Sequence, residues 1–77
     1  MARYFFHHQK SDQLLEDEEG EEFPSLERVR EEAVLSAREI IAEAAKQGRD
    51  ATKDSFSIAD DLGQTVLVLQ FADVLTS

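Results

Sequence analysis

The chain has 77 residues, with 17 acids against 8 lysines and arginines, a net charge of −9 and no cysteine. That length holds one domain, read here as residues 1–77, with a thin core that buries only roughly 60% of the surface the unfolded chain exposes. Disulfides and thiolate metal sites are excluded, no apolar run is long enough to cross a bilayer, and the acidic field opposes the phosphate contacts that nucleic-acid binding requires.

The first element is a strand over Arg3 to Gln9. Tyr4, Phe5 and Phe6 are consecutive aromatics, so both faces of this strand are expected to be at least partly covered. The apolar run at the N-terminus is too short for a secretory segment, and the chain is read as cytoplasmic. Gln13 to Glu16 is a second, short strand, and Asp17-Glu18-Glu19-Gly20 supplies the turn of a hairpin or bulged loop. Glu21 to Phe23 is a brief returning strand. Residues 11–27 hold eight acids and no base.

Pro24 pushes Phe23 toward an extended conformation, and Ser25 caps a helix that starts at Leu26. Leu26, Val29, Ala33, Ala37, Ile40, Ile41 and Ala44 then recur at three and four, which predicts an amphipathic helix to about Gln47. Gly48 stands where a left-handed cap is wanted. Arg49 to Lys53 reads as a polar linker. Ser55 to Ala59 is a strand with Phe56 and Ile58 on one face. Asp60 to Gly63 is a turn, and Gln64 to Phe71 is the last strand, with Leu67, Leu69 and Phe71 opposite Val66 and Val68. The tail, Ala72 to Ser77, forms a last turn or frays. The predicted fold is α+β: a small antiparallel sheet of about four strands, ordered ββ-α-ββ, with one long amphipathic helix packed across one face.

Candidate chemistry is sparse. His7 and His8 are adjacent on a strand, point to opposite faces and cannot converge on one metal. The acids from Asp12 to Glu22 lack the spacing of a calcium loop and fit a solvated hairpin that discourages edge aggregation. No nucleophile motif, phosphate-cradling glycine loop or dinucleotide fingerprint is present, so the expectation is a non-enzyme without metal or other cofactor. Arg30 falls by helical angle inside the apolar stripe, near Ala37 and Ile41. A buried guanidinium requires a partner, and Glu22 or Asp17 of the hairpin is the natural one for a helix–hairpin ion pair. The alternative for Arg30 is to anchor a ligand.

One helix covers one face of a sheet, whereas the first and last strands offer apolar residues on both. If Leu67, Leu69 and Phe71 meet the helix, Val66, Val68 and one side of Tyr4-Phe5-Phe6 are left outside, and the reverse assignment leaves a similar patch. A patch of this kind predicts a homodimer, or another complex, through a sheet face or an edge strand.

The order Arg3-Tyr4-Phe5-Phe6-His7, Asp17-Glu18-Glu19-Gly20, Glu22-Phe23-Pro24-Ser25-Leu26 and Arg30-Glu31-Glu32-Ala33 resembles the bacterial domain of unknown function family 6894. Phe56-Ser57-Ile58, Asp60, Asp61, Gly63, Val66 to Leu69 and Phe71 extend the likeness over nearly the whole chain. Ser25 stands where an acid is expected, and both residue types cap helices. The resemblance implies a short stand-alone bacterial protein and supplies no activity. A weaker likeness runs to HicB-type antitoxins, through an acidic hairpin and a Phe-Pro-x-Leu turn into the helix.

The functional expectation is a non-catalytic interaction or regulatory module that self-associates, its acidic hairpin turned to solvent or to a basic protein partner. Nucleic acid and membrane are not expected partners. The alternatives are an antitoxin-like inhibitor of a small basic toxin, and a metal or ligand sensor using His7 or His8 with hairpin acids.

Overall fold

The computed structural model describes residues 1–76; the last residue of the predicted tail, Ser77, lies outside the described residues. Five strands, one long helix and a closing 3₁₀ turn follow one another as β1 (Ala2–Gln9), β2 (Leu14–Leu15), β3 (Glu21–Phe23), α1 (Leu26–Lys46), β4 (Ser55–Ala59), β5 (Thr65–Gln70) and Phe71–Leu75. The sheet runs β2-β1-β4-β5, with β3 also on β1, and every pairing is antiparallel. The architecture is the predicted α+β one. The strands number five because β2 and β3 are two short pieces that share a single edge of β1.

Strand alternation assigns the faces. Tyr4 and Phe6 of β1, Phe56 and Ile58 of β4, and Leu67 and Leu69 of β5 pack with Val29, Ala33, Ala37 and Ala44 of the helix in one core. Val29, Ile58 and Phe71 are fully buried. Aromatic rings knit the sheet side together: Phe6 lies 5.7 Å from Phe23 and 5.7 Å from Phe56, and Phe56 lies 4.9 Å from Phe71. Small alanines on the helix, Ala33, Ala37 and Ala44, are buried against this core.

Local chemistry sets the helix ends. The Ser25 hydroxyl accepts the Arg28 N–H at 3.2 Å, the capping interaction predicted from Pro24-Ser25. At the other end Gly48 has φ +77°, and Arg49 N–H reaches Ala44 O at 2.8 Å while Gly48 N–H reaches Ala45 O at 3.0 Å. This paired 6→1 and 5→2 arrangement is the Schellman stop. The linker beyond it is more ordered than its polarity implies. Ala51 is buried, and the Thr52 N–H and hydroxyl both donate to Asp50, which holds that carboxyl below its ordinary range.

β4 and β5 join through a turn in which Asp60 Oδ1 accepts the N–H groups of Leu62 and Gln64 at 3.0 and 2.9 Å. Ile58 pairs with Leu67 but Ala59 pairs with Thr65, so Val66 is an extra residue in β5. This bulge changes the alternation, and Val66 joins Leu67 against the core. The C-terminal turn then carries Phe71 and Val74 back under the helix, where the Arg38 guanidinium donates to Val74 O.

Candidate functional site

The edge of β1 away from β4 is closed in three parts. β3 pairs with Ala2, Arg3 and Tyr4, and β2 pairs with His8 and Gln9. Between them Asp17 stands in for the missing strand. Its Oδ2 accepts the Phe6 N–H at 3.0 Å, and its Oδ1 accepts Gly20 N–H at 3.0 Å and Glu19 N–H at 3.2 Å. Its own N–H donates to His7 Nδ1 at 3.1 Å. Burial pushes the Asp17 carboxyl upward, but the N–H groups of Gly20, Phe6 and Glu19, with His7 beside them, outweigh that and hold it below the ordinary value. Gly20, at φ +68°, presses directly on β1: a Cβ there would lie 2.8 Å from both Tyr4 O and the Phe5 ring.

On the helix side of β1, His8 Nε2 meets Asp54 Oδ2 at 2.8 Å, with the two side chains only 13% and 10% exposed. The imidazole stacks on Phe71 at 5.1 Å and meets the edge of Phe56 at 5.7 Å. Asp54 also opens β4, accepting Phe71 N–H at its carbonyl. This pair therefore locks β1, the start of β4 and the C-terminal turn together. Ser55 and Ser57 alternate to the other face of β4. Among the described residues no group of three or more His, Asp or Glu is placed to hold a metal ion.

Beside the hairpin, a cleft of about 380 Å³ opens between the loop and the helix. Its floor is Phe6, Ile40 and Phe56, and its rim carries Glu19, Glu21 and Glu32. Ser36 donates to Glu32 across one helical turn at 3.2 Å.

The face of the sheet away from the helix is of different character. Register puts Phe5, His7 and Gln9 beside Ala59, Ser57 and Ser55, and these beside Val68 and Gln70 of β5. This face carries the Arg3–Glu22 pair at 3.2 Å, where Arg3 also donates to Glu19 O at 2.8 Å. Among the described residues the outer edge of β5 has no strand partner.

The structure redistributes the residues singled out from sequence. Arg30 is exposed and pairs with neither Glu22 nor Asp17, so no helix–hairpin clamp forms. At that end of the helix the buried strip is Val29 and Ala33, and Arg30 lies on its solvent-facing border. Glu22 takes Arg3, and Asp17 takes backbone. Of the proposed outward patch, Tyr4, Phe6 and Val66 pack against the core, whereas Phe5 and Val68 lie on the open face. The bulge accounts for Val66, and the helix-side register accounts for Tyr4 and Phe6. His7 and His8 do point to opposite faces. Sequence reasoning missed Asp54: one acid after Lys53 in a polar linker carries no sign that a histidine 46 positions away will meet it.

A single long helix over an antiparallel sheet, with an acid-plugged hairpin at one edge, defines a small α+β domain. The chain belongs to the family described as Domain of unknown function (DUF6894), whose profile matches residues 3–72. No curated protein and no solved structure matches the chain. The expected likeness to HicB-type antitoxins is not shown by these comparisons. Among the described residues no helix is long and apolar enough to cross a membrane.

Proposed function

We propose that this chain is a non-catalytic protein-interaction module that associates with itself, and that any regulatory role acts through that association. The observation that carries the reading is the charge division of its surface. The acids lie on the hairpin, the outer helix face and the turns, while the open sheet face is neutral apart from the mutually compensated Arg3–Glu22 pair. Two copies at −9 each repel wherever acids meet, so close contact is favourable only on that face and along β5. The reading sets the module in the cytoplasm, where a cysteine-free chain is at home, and gives it no nucleic-acid or membrane partner.

Light scattering at tens of micromolar tests it. The expected result is a dimer that tightens as salt rises, because the residual long-range term between copies is repulsive. A strict monomer across that range would sink the proposal.

The cleft beside the hairpin favours a second reading. A lysine or arginine from a partner would find apolar walls for its stem and Glu19, Glu21 and Glu32 for its head. In that reading the chain neutralises a small basic protein, as an antitoxin does. A stoichiometric small basic protein retained from the native host and released by high salt would promote it; a host complex indifferent to salt would count against it.

A further inference from the structure

We infer that self-association runs through the outer edge of β5, which pairs antiparallel with β5 of a second copy to make one continuous sheet. The inference rests on the self-association reading and adds the surface and its geometry.

Backbone direction supplies the first argument. Phe71 N–H crosses to the O of Asp54, the residue before β4, at 3.0 Å, so with a period of two the N–H and C=O groups of Val68 and Gln70 point off the sheet. The opposite side of the sheet agrees: Phe6 N–H points away from β4, toward Asp17, which fixes the same alternation through β1 and β4. Val68 and Gln70 therefore present unpaired donors and acceptors at the rim.

The two edges of the sheet are treated differently. The β1 edge is covered by β2, β3 and the Asp17 carboxylate. Strand edges left open are normally protected by charge or proline. β5 has neither: Gln64 to Ala72 contains no charged residue and no proline, in a chain that is 32% charged. Val68 is 56% exposed there.

Charge then selects the occupant. A basic partner would be drawn to the hairpin and helix acids, not to a neutral strand. A second copy, itself at −9, can approach only where acids are absent, which leaves the open face and β5, and of these only β5 also offers unpaired backbone groups. A two-fold axis near Leu69 sets Val68 of one copy opposite Gln70 of the other. Four N–H···O bonds form, and both Val68 side chains leave solvent on the open face.

The test combines hydrogen exchange with two variants of the full chain. Exchange at the Val68 and Gln70 amides is expected to slow as protein concentration rises, while exposed amides in the Asp60–Gly63 turn keep their rates. V68P removes an outward N–H and no bond to β4, a position where an edge strand tolerates proline. It is expected to weaken dimerisation roughly tenfold or more. Ser57→Lys, at the centre of the open face, is expected to leave the dimer intact. A dimer lost in Ser57→Lys but kept in V68P would overturn the edge geometry while leaving self-association standing. Exchange at Val68 and Gln70 that is independent of concentration in a proven dimer would overturn it too, whether or not V68P folds. A strictly monomeric wild type would overturn both this inference and the reading beneath it.

Discussion

Asp17 offers the sharpest test of how the hairpin is held. Its two oxygens work on different neighbours: Oδ2 accepts Phe6 N–H, and Oδ1 accepts the N–H groups of Gly20 and Glu19. In Asp17→Ala the part-buried Phe6 N–H loses its acceptor, at about 1–3 kcal/mol, while the two loop N–H groups recover water and lose about 0.5 kcal/mol each. The sum is about 2–4 kcal/mol, or roughly 8–30 °C in Tm for a domain of this size. Asp17→Asn is expected to cost nearly as much, since an amide has one acceptor oxygen and must turn its NH₂ toward one of the two sets of donors. Urea melts read both variants. The pH dependence gives an independent check. A carboxyl whose folded pKa is lowered contributes stability that is fully present above its unfolded value and is lost as pH falls through the folded one. The gap between wild type and Asp17→Asn should therefore hold constant near neutrality and narrow below about pH 4. An Asp17→Asn protein within about 0.5 kcal/mol of wild type at neutral pH would refute the two-sided clamp.

Four further outcomes follow from the same geometry. Gly20→Ala combines a positive φ with contacts at 2.8 Å to Tyr4 O and the Phe5 ring, whereas Gly48→Ala meets nothing within 4 Å. The second should cost about 1–2 kcal/mol and the first clearly more, which thermal melts of the pair will show. A double-mutant cycle on His8→Ala and Asp54→Ala should give a coupling of about 1–3 kcal/mol, with each single change costing more than the pair interaction is worth, because the partner is left buried and unpaired. Additive changes would mean that the 2.8 Å contact stabilises nothing. Arg30→Ala should lie within about 0.5 kcal/mol of wild type, and Ser25→Ala should lose about 1 kcal/mol with its helix cap. A large loss at Arg30 would restore the clamp that the structure removes.

Much of this molecule follows from local rules that a sequence displays. The helix is set by apolar spacing from Val29 to Ala44, by Ser25 at one end and by Gly48 at the other, and each acts within a few residues of itself. The strands around Phe56 and Leu69 follow from alternation, and the acidic hairpin from Gly20 and its neighbours. What needed the tertiary structure was every relation between distant positions. Helical angle puts Arg30 in the stripe, but only packing decides which part of that arc is covered, and Val29 and Ala33 are buried while Arg30 is exposed. Val66 turns inward because one extra residue fits into β5 opposite Ile58 and Ala59, a register that no alternation pattern within β5 reports. The His8–Asp54 pair and the Asp17 plug arise from chain closure, where a donor left over on one element meets an acceptor on another. Periodicity decided which residues sit on a common face; only packing decided which face is covered and which backbone groups are left at the edge to receive a partner.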